Sequence, residues 1–197
     1  MAAAKRNILI LNGHPDTNGK GLCHGLADAY ADGALKSGHS VKRIDVAGLD
    51  FGFLHSQAEF EKGKAPAAIV AAQEQIRAAN HLVVIFPLWL GDMPAVLKAF
   101  FEQTLRPGFA FDYRPSGFPI KHLEGRSARV IVTMGMPALV YRWYFGAHGL
   151  KNLKRNILRF VGFAPVRDTI IGGVGTASRK TMERRVEEVR ALGRHAS

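Results

Sequence analysis

The chain has 197 residues, 47% of them hydrophobic and 22% charged, which is ordinary for a globular protein able to bury one core. Its longest uninterrupted apolar run, residues 82–90, is far shorter than the roughly 20 residues that a bilayer-crossing helix needs. Cys23 is the single cysteine, which excludes an internal disulfide and a cysteine-based metal cluster.

The formal net charge of +11 raises the question of a nucleic-acid partner. In the segment RKTMERRVEEVR, however, basic side chains are interleaved with glutamates, as on a solvated helix, and no nucleic-acid-binding motif accompanies them. We therefore expect no nucleic-acid partner. A phosphorylated cofactor or a peripheral contact with an acidic membrane surface explains the charge more simply. The absence of an apolar signal core before the first strand, with the lone cysteine, predicts a cytoplasmic protein.

Short apolar runs rich in branched residues predict five buried strands, at residues 7–11, 41–46, 82–86, 130–134 and 166–171. Patterns of helical period between them predict helices at residues 22–37, 66–79, 94–105, 151–160 and 178–192, with Pro94 as the first residue of the third helix. An aromatic, proline- and glycine-rich excursion at residues 107–123 interrupts the alternation, and we expect an arm or a short hairpin there.

Alternating strands and helices predict an α/β domain with a doubly wound parallel sheet, helices on both faces and residues 1–197 in one unit. Five strands fit the flavodoxin-like order 2-1-3-4-5 at least as well as half of a dinucleotide-binding fold. Ligands of such sheets bind where the carboxyl ends of the strands meet the following loops. The loops to examine are therefore residues 12–22, 87–93 and 134–148.

The first loop contains Gly13, Gly19 and Gly21 and leads into the first helix. Glycine lets backbone N–H groups approach an anion closely, and a helix N-terminus adds partial positive charge. Neither the G-x-G-x-x-G fingerprint nor a Walker motif occurs there. Two interpretations stay open, a plain turn and a phosphate cradle of the flavodoxin type.

The other two loops carry aromatic side chains. Trp89 at the tip of the second loop is unusual for a solvated turn; a planar ligand such as an isoalloxazine would bury it, as would packing under the loop or a subunit contact. In the third loop, Tyr141 and His148 can supply hydrogen bonds or protons to a reducible ligand. Each of them alone is explained as simply by a buried aromatic or a surface histidine.

Four sequence blocks, taken in order, resemble the NAD(P)H:quinone oxidoreductase family of flavodoxin-like flavoproteins, which includes DT-diaphorase and bacterial potassium-efflux ancillary proteins. The blocks are NGHP, FPLWLGDMPAVLKAFFEQTLRPGFAF, TMGMP followed by YRWYFG, and LKRNILRFVGFAPVRDTIIGG. The resemblance implies a noncovalent flavin, FMN or FAD, at the sheet edge, NAD(P)H as co-substrate and a homodimer whose two active sites form across the interface.

Residue by residue, the resemblance assigns the flavin phosphate and ribityl chain to His14, Thr17, Gly21, Leu22 and Cys23. The loop along the isoalloxazine matches Pro87, Leu88, Trp89 and Leu90, and the strand-four loop at the ring edge matches Thr133, Met134 and Gly135. Tyr141 falls where the family has a tyrosine implicated in hydride transfer, and His148 lies one residue from its partner histidine. Many members have serine and asparagine in place of Gly21 and Cys23, and often tryptophan in place of Leu90.

These observations predict a flavin-dependent NAD(P)H oxidoreductase that reduces a quinone-type acceptor by a ping-pong mechanism. Three alternatives stay open: an accessory or electron-carrier protein of a membrane transport system, a reductase of azo or nitro groups, and a flavin-free core domain. The residues do not distinguish FMN from FAD or NADH from NADPH.

Overall fold

The computed structural model describes residues 5–196, along which strands and helices alternate. The elements are β1 Asn7–Asn12, α1 Leu22–Lys36, β2 Ser40–Asp45, α2 Gln57–Lys62, α3 Ala67–Ala78, β3 His81–Pro87, α4 Ala95–Thr104, β4 Phe111–Asp112, β5 Ile120–Lys121, β6 Ser127–Thr133, α5 Ala138–Trp143, α6 His148–Asn152, α7 Arg159–Val161, β7 Val166–Ile171 and α8 Arg179–His195. A π-helical segment, Leu153–Leu158, joins α6 to α7.

Five strands form one parallel sheet in the order β2-β1-β3-β6-β7. Taken in chain order without the two short hairpin strands, this is the predicted order 2-1-3-4-5, and the fold prediction is confirmed. β1 is central to the topology because it pairs with β2 on one side and with β3 on the other. The chain reverses direction across the sheet at β1, which opens a crevice at its carboxyl end.

Alternate residues of each central strand enter two separate cores. In β1, Ile8 and Ile10 face the helices α1 and α8, whereas Leu9 and Leu11 pack on the side of α3 and α4. The same alternation continues in β3, both of whose faces are apolar. In β6, Val130 and Val132 enter one core, and Ile131 enters the other between the polar residues Arg129 and Thr133. This two-sided burial is typical of parallel sheets and explains why the strands appear in the sequence as continuous apolar runs.

The structure differs from the predicted elements in several places. Strand β6 begins at Ser127 instead of residue 130, and helix α5 lies within the stretch predicted as a loop, residues 134–148. Helix α2 was not predicted because none of its side chains is buried, so it has no apolar stripe. Its signal was the spacing Ser56 to Glu59, where the serine hydroxyl accepts a hydrogen bond from the Glu59 N–H. Pro94 was predicted as the first helical residue of α4 but has extended ψ and precedes it. The helix predicted at 151–160 begins earlier, at His148.

The excursion at residues 107–123 contains the antiparallel pair β4 and β5, so the expected short hairpin is confirmed. Phe111 at its base is buried against Phe160, with ring centroids 4.9 Å apart, whereas Phe118 near its tip is 89% exposed. The hairpin is therefore anchored at one end and open to solvent at the other.

Helix α1 is held in place by backbone-to-backbone contact with α8. A Cβ atom on Gly33 would lie 2.0 Å from the carbonyl oxygen of Arg190, and one on Gly193 would lie 2.1 Å from that of Tyr30. A contact this close is open only to glycine, and it fixes the position of the helix whose N-terminus lies at the crevice.

The substitution Gly33→Ala should lower the free energy of unfolding by about 2–3 kcal/mol, because the new methyl group overlaps backbone atoms that cannot rotate away. The matched control is Gly25→Ala on the same helix, where a Cβ meets no atom within 4 Å. That variant should gain about 0.5–1 kcal/mol from helix propensity. Chemical denaturation measures both values; equal effects of the two variants would contradict the contact.

Candidate functional site

The three predicted loops lie side by side at the carboxyl edge of the sheet, since they follow the neighbouring strands β1, β3 and β6. The N–H of Gly13 donates to the carbonyl of Ile85 at 2.8 Å, and the N–H of Leu88 donates to the carbonyl of Thr133 at 2.8 Å. These two hydrogen bonds carry the strand pairing on into the loops. Sequence separation between the loops is therefore no obstacle to a shared site.

The first loop is stiffened by its own side chains and leaves its far end open. The N–H of Asp16 donates to His14 Nδ1 at 3.1 Å, and the N–H of Asn18 donates to the Asp16 carboxylate at 2.8 Å. Residues 17–21 are exposed, including the predicted Thr17 and Gly21. Burial, and secondarily the neighbouring His24 ring, lower the pKa of His14, so this imidazole stays neutral and accepts.

Helix α1 begins directly after this loop without a side-chain cap at Gly21. The first N–H groups of a helix have no intrahelical acceptor, and here they face the exposed segment 17–21. The predicted residues that follow point elsewhere. Leu22 is half-buried against the α1/α8 core, and Cys23 is buried with its Sγ 3.5 Å from the Thr133 hydroxyl. The open donors of this segment are therefore its backbone N–H groups and the exposed side chains of Thr17, Asn18 and Lys20.

The second loop ends in a tight turn with an exposed leucine at its tip. The N–H and carbonyl groups of Trp89 and Asp92 exchange hydrogen bonds of 2.9 and 3.0 Å. The two residues between them have positive φ, 47° at Leu90 and 82° at Gly91. A leucine in the left-handed region costs about 1–2 kcal/mol, yet the Leu90 side chain is fully exposed and gains no packing in return. Strain of this kind points to a functional role.

The Gly91 carbonyl is enclosed by two residues that come from beyond β6. The Tyr141 hydroxyl lies 3.5 Å from this oxygen, and a Cβ on Gly149 would lie only 2.4 Å from it. The same hydroxyl accepts a hydrogen bond from the Leu150 N–H at 3.2 Å. Tyr141 is thus buried where the second loop meets α6. Burial, with a smaller contribution from Asp92, raises the pKa of its phenol.

In the third loop, Thr133 and Met134 are buried and Gly135 is exposed. The Met134 N–H continues the β6–β7 ladder by donating to the Ile171 carbonyl at 2.9 Å. At Gly135 a Cβ would meet a single neighbouring atom within 4 Å, the Val174 carbonyl oxygen at 3.8 Å. This part of the sheet edge is consequently open to a ligand at the glycine backbone.

A cavity of about 650 Å³ opens between the second loop, α5 and α6. Its lining is mainly apolar with a few polar groups, and it comprises Leu88, Leu90, Gly91, Asp92, Met136, Tyr141, Phe145, His148 and Gly149. Both the volume and the composition are typical of small-molecule sites. Four predicted residues meet here: Leu88, Leu90, Tyr141 and the exposed His148. Trp89, half exposed, and the predicted residues of the first loop lie at the same edge outside this lining.

Sequence analysis did not single out several residues that the structure places at the edge. Asp92, Met136 and Phe145 line the cavity, and His24 is buried just inside α1. The position of Asp92 in the block between Pro87 and Pro94 could have identified it as a candidate site residue. Met136 and Phe145 gave no signal, because an apolar side chain in a loop is as readily explained by packing.

Within residues 5–196, no helix has the length and apolar composition required to cross a membrane. A family model described as a flavodoxin-like fold matches residues 6–195. NAD(P)H dehydrogenase (quinone) 1 of Rattus norvegicus is 24% identical over 197 residues, covering 87% of this chain and 70% of the rat protein. An FMN-dependent NADH:quinone oxidoreductase of Nitratidesulfovibrio vulgaris is 29% identical over 141 residues, or 64% of this chain and 62% of that protein.

Among solved structures, an NAD(P)H:quinone oxidoreductase from Methanothermobacter marburgensis aligns with a TM-score of 0.81 at 25% identity. The alignment covers 98% of this chain and all of the other. These similarities confirm the resemblance carried by the four sequence blocks. The chain belongs to the protein family with the flavodoxin-like fold.

Proposed function

We propose that this chain is a flavin-dependent NAD(P)H oxidoreductase that delivers two electrons to a quinone-type acceptor. The observation that carries the proposal is the pairing of two features on one sheet edge. An uncapped helix N-terminus with an exposed glycine loop lies beside an apolar cavity of about 650 Å³. A flavin has a matching division into an anionic phosphate chain and a planar apolar ring.

The residues present fit such a cofactor at both ends. A phosphate is held by the backbone N–H groups at the start of α1, where a Cβ on Gly19 would meet no atom within 4 Å and the approach is free. The ring is held against the second loop, where Leu88 and Leu90 offer apolar surface, and against the open backbone of Gly135. The bacterial relative that is 29% identical is named as FMN-dependent, so FMN is the first cofactor to test.

When bound, a flavin would supply the redox chemistry, a two-electron transfer from NAD(P)H to the acceptor. The protein binds, orients and handles protons. His148 is exposed at the cavity, where its imidazole can hydrogen-bond to a bound acceptor. The Tyr141 phenol, with its raised pKa, keeps its proton at neutral pH. Its contact with the Gly91 carbonyl is long, 3.5 Å, so the hydroxyl could instead donate to a ligand in the cavity that it lines.

The proposal extends to a homodimer. Exposed apolar side chains of α5 and the residues after it surround the cavity, with Leu139 at 69%, Trp143 at 83% and Tyr144 at 82% exposed. Phe145 and Leu90, also exposed, continue this surface into the cavity lining. A contiguous apolar surface of this kind marks an interface. A second copy of the chain covers it and closes the site, and a cytoplasmic location accords with the buried, unpaired Cys23.

The dimer proposal predicts sedimentation at twice the 21.5 kDa chain mass at micromolar concentration. Trp143→Glu should shift the protein to monomer, because the charge would be buried without a partner. Leu35→Glu, an equally drastic change at an exposed position of α1, should leave the sedimentation unchanged. A wild-type monomer would refute the dimer and leave the flavin proposal standing.

Fresh protein should be yellow, release its pigment on heating, and oxidise NADH or NADPH with a menadione-like acceptor at roughly 1–10³ s⁻¹. Steady-state assays after reconstitution with FMN, and separately with FAD, measure this. Flavin binding with negligible turnover would favour the accessory-protein alternative. A colourless protein that rejects both flavins would eliminate the proposal, and preferential turnover of an azo dye would assign the acceptor class differently.

Tyr141→Phe should lower kcat by about tenfold or more, since a donor beside the reacting ring is lost, while FMN affinity changes little. It should also cost about 1–2 kcal/mol of stability, because the buried Leu150 N–H loses its acceptor. Tyr113→Phe is the matched control, at an exposed tyrosine of the hairpin, and should change neither quantity. Loss of stability with an unchanged kcat would restrict the Tyr141 hydroxyl to a structural role.

A further inference from the structure

We propose that His24 binds the cofactor phosphate through its Nδ1, with Asp45 holding the opposite nitrogen. The inference rests on the proposed flavin function and adds a residue to it. His24 is the third residue of α1 and is 5% exposed. Among the residues that the structure describes, its Nδ1 atom is buried and has no hydrogen-bond partner. A buried nitrogen without a partner destabilises the folded protein, and a ligand atom that pairs with it would remove that cost.

The free nitrogen lies on the side of the helix N-terminus. A Cβ atom on Gly21, the N-cap residue, would lie 3.7 Å from His24 Nδ1, the one atom it would meet within 4 Å. Gly21 belongs to the exposed loop segment, and no side chain caps the 15-residue helix. His24 Nδ1 and the first backbone N–H groups of α1 are therefore directed at the same place, which is suited to an anion.

The other ring nitrogen faces a fixed carboxylate. His24 Nε2 lies 3.9 Å from Asp45 Oδ1, and that oxygen accepts hydrogen bonds from Asn12 Nδ2 at 2.8 Å and from the Arg43 guanidinium. Once a phosphate is seated, the His24 ring has a negative group at each nitrogen: Asp45 at Nε2 and a phosphate oxygen at Nδ1.

Neighbouring groups do not take over this role. The His14 ring lies 5.5 Å from that of His24, but His14 Nδ1 already accepts the Asp16 N–H, and burial together with His24 lowers its pKa. Gly21 has no side chain to offer, and the Cys23 thiol is turned to Thr133. His24 is consequently the buried side-chain donor that the start of α1 can offer a phosphate.

The test compares FMN with riboflavin, which lacks the phosphate, by fluorescence titration of the flavin-stripped protein. His24→Leu should weaken FMN binding by about 10-fold to 100-fold, as expected for a charge-assisted hydrogen bond, and change riboflavin affinity less than about twofold. His24→Asn, whose amide N–H replaces the Nδ1 donor, should recover part of the loss. Asp45→Asn should give an intermediate, FMN-selective loss. His55→Leu, at an exposed histidine elsewhere, should match wild type.

Each other outcome overturns the assignment. Equal losses for FMN and riboflavin would make His24 a structural residue, and thermal melts of the same variants would register that damage. Unchanged FMN affinity in His24→Leu would show that the backbone alone holds the phosphate. If the wild-type protein binds FMN normally but the variants lose no affinity for FMN relative to riboflavin, only the role of His24 is refuted. A wild-type protein that binds neither flavin refutes the proposed function as well.

Discussion

Strand β1 hydrogen-bonds to β2 on one side and to β3 on the other, and the site depends on this double pairing. A parallel strand needs a crossover to reach its neighbour. The connection from β1 to β2 runs through α1 on one face of the sheet, and the connection from β2 to β3 runs through α3 on the other face. No crossover connection covers the loop after β1, which lies beside the loop after β3. The hydrogen bond from Gly13 to Ile85 holds the two loops together at their base.

The edge offers one ligand two different environments, one polar and one apolar. At the start of α1 the structure presents backbone donors and a buried imidazole, whereas the cavity beside the second loop is lined by leucine, methionine and phenylalanine. Close glycine contacts hold both halves rigidly. Gly33 brings α1 onto α8, and Gly149 brings α6 onto the Gly91 carbonyl. A preformed site with this division loses little binding free energy to ordering of the protein.

Three local costs lie at the same edge. Leu90 is fully exposed in a left-handed conformation, Ala147 adopts the same region just before α6, and His24 Nδ1 lacks a partner. Each costs on the order of 1–3 kcal/mol, and the packed sheet has to sustain them together. By contrast, the strands and the α1/α8 contact show apolar burial on both faces of the sheet. The edge therefore carries local strain on a rigid scaffold that is packed on both sides.

The sequence by itself determined the strands, their order and the three loops, because apolar runs separated by helical patterns leave few topologies for a parallel sheet. The position of the loops in the chain also predicted that their residues would meet. Four of these residues line one cavity: Leu88, Leu90, Tyr141 and His148. Short elements without an apolar stripe, such as α2, were not predicted from the sequence. Only the tertiary structure decided where side chains point. Cys23 meets Thr133 across 110 residues, Tyr141 turns to Gly91, and His24 is left with a free nitrogen. Such directions follow from contacts between distant segments, which no local pattern records.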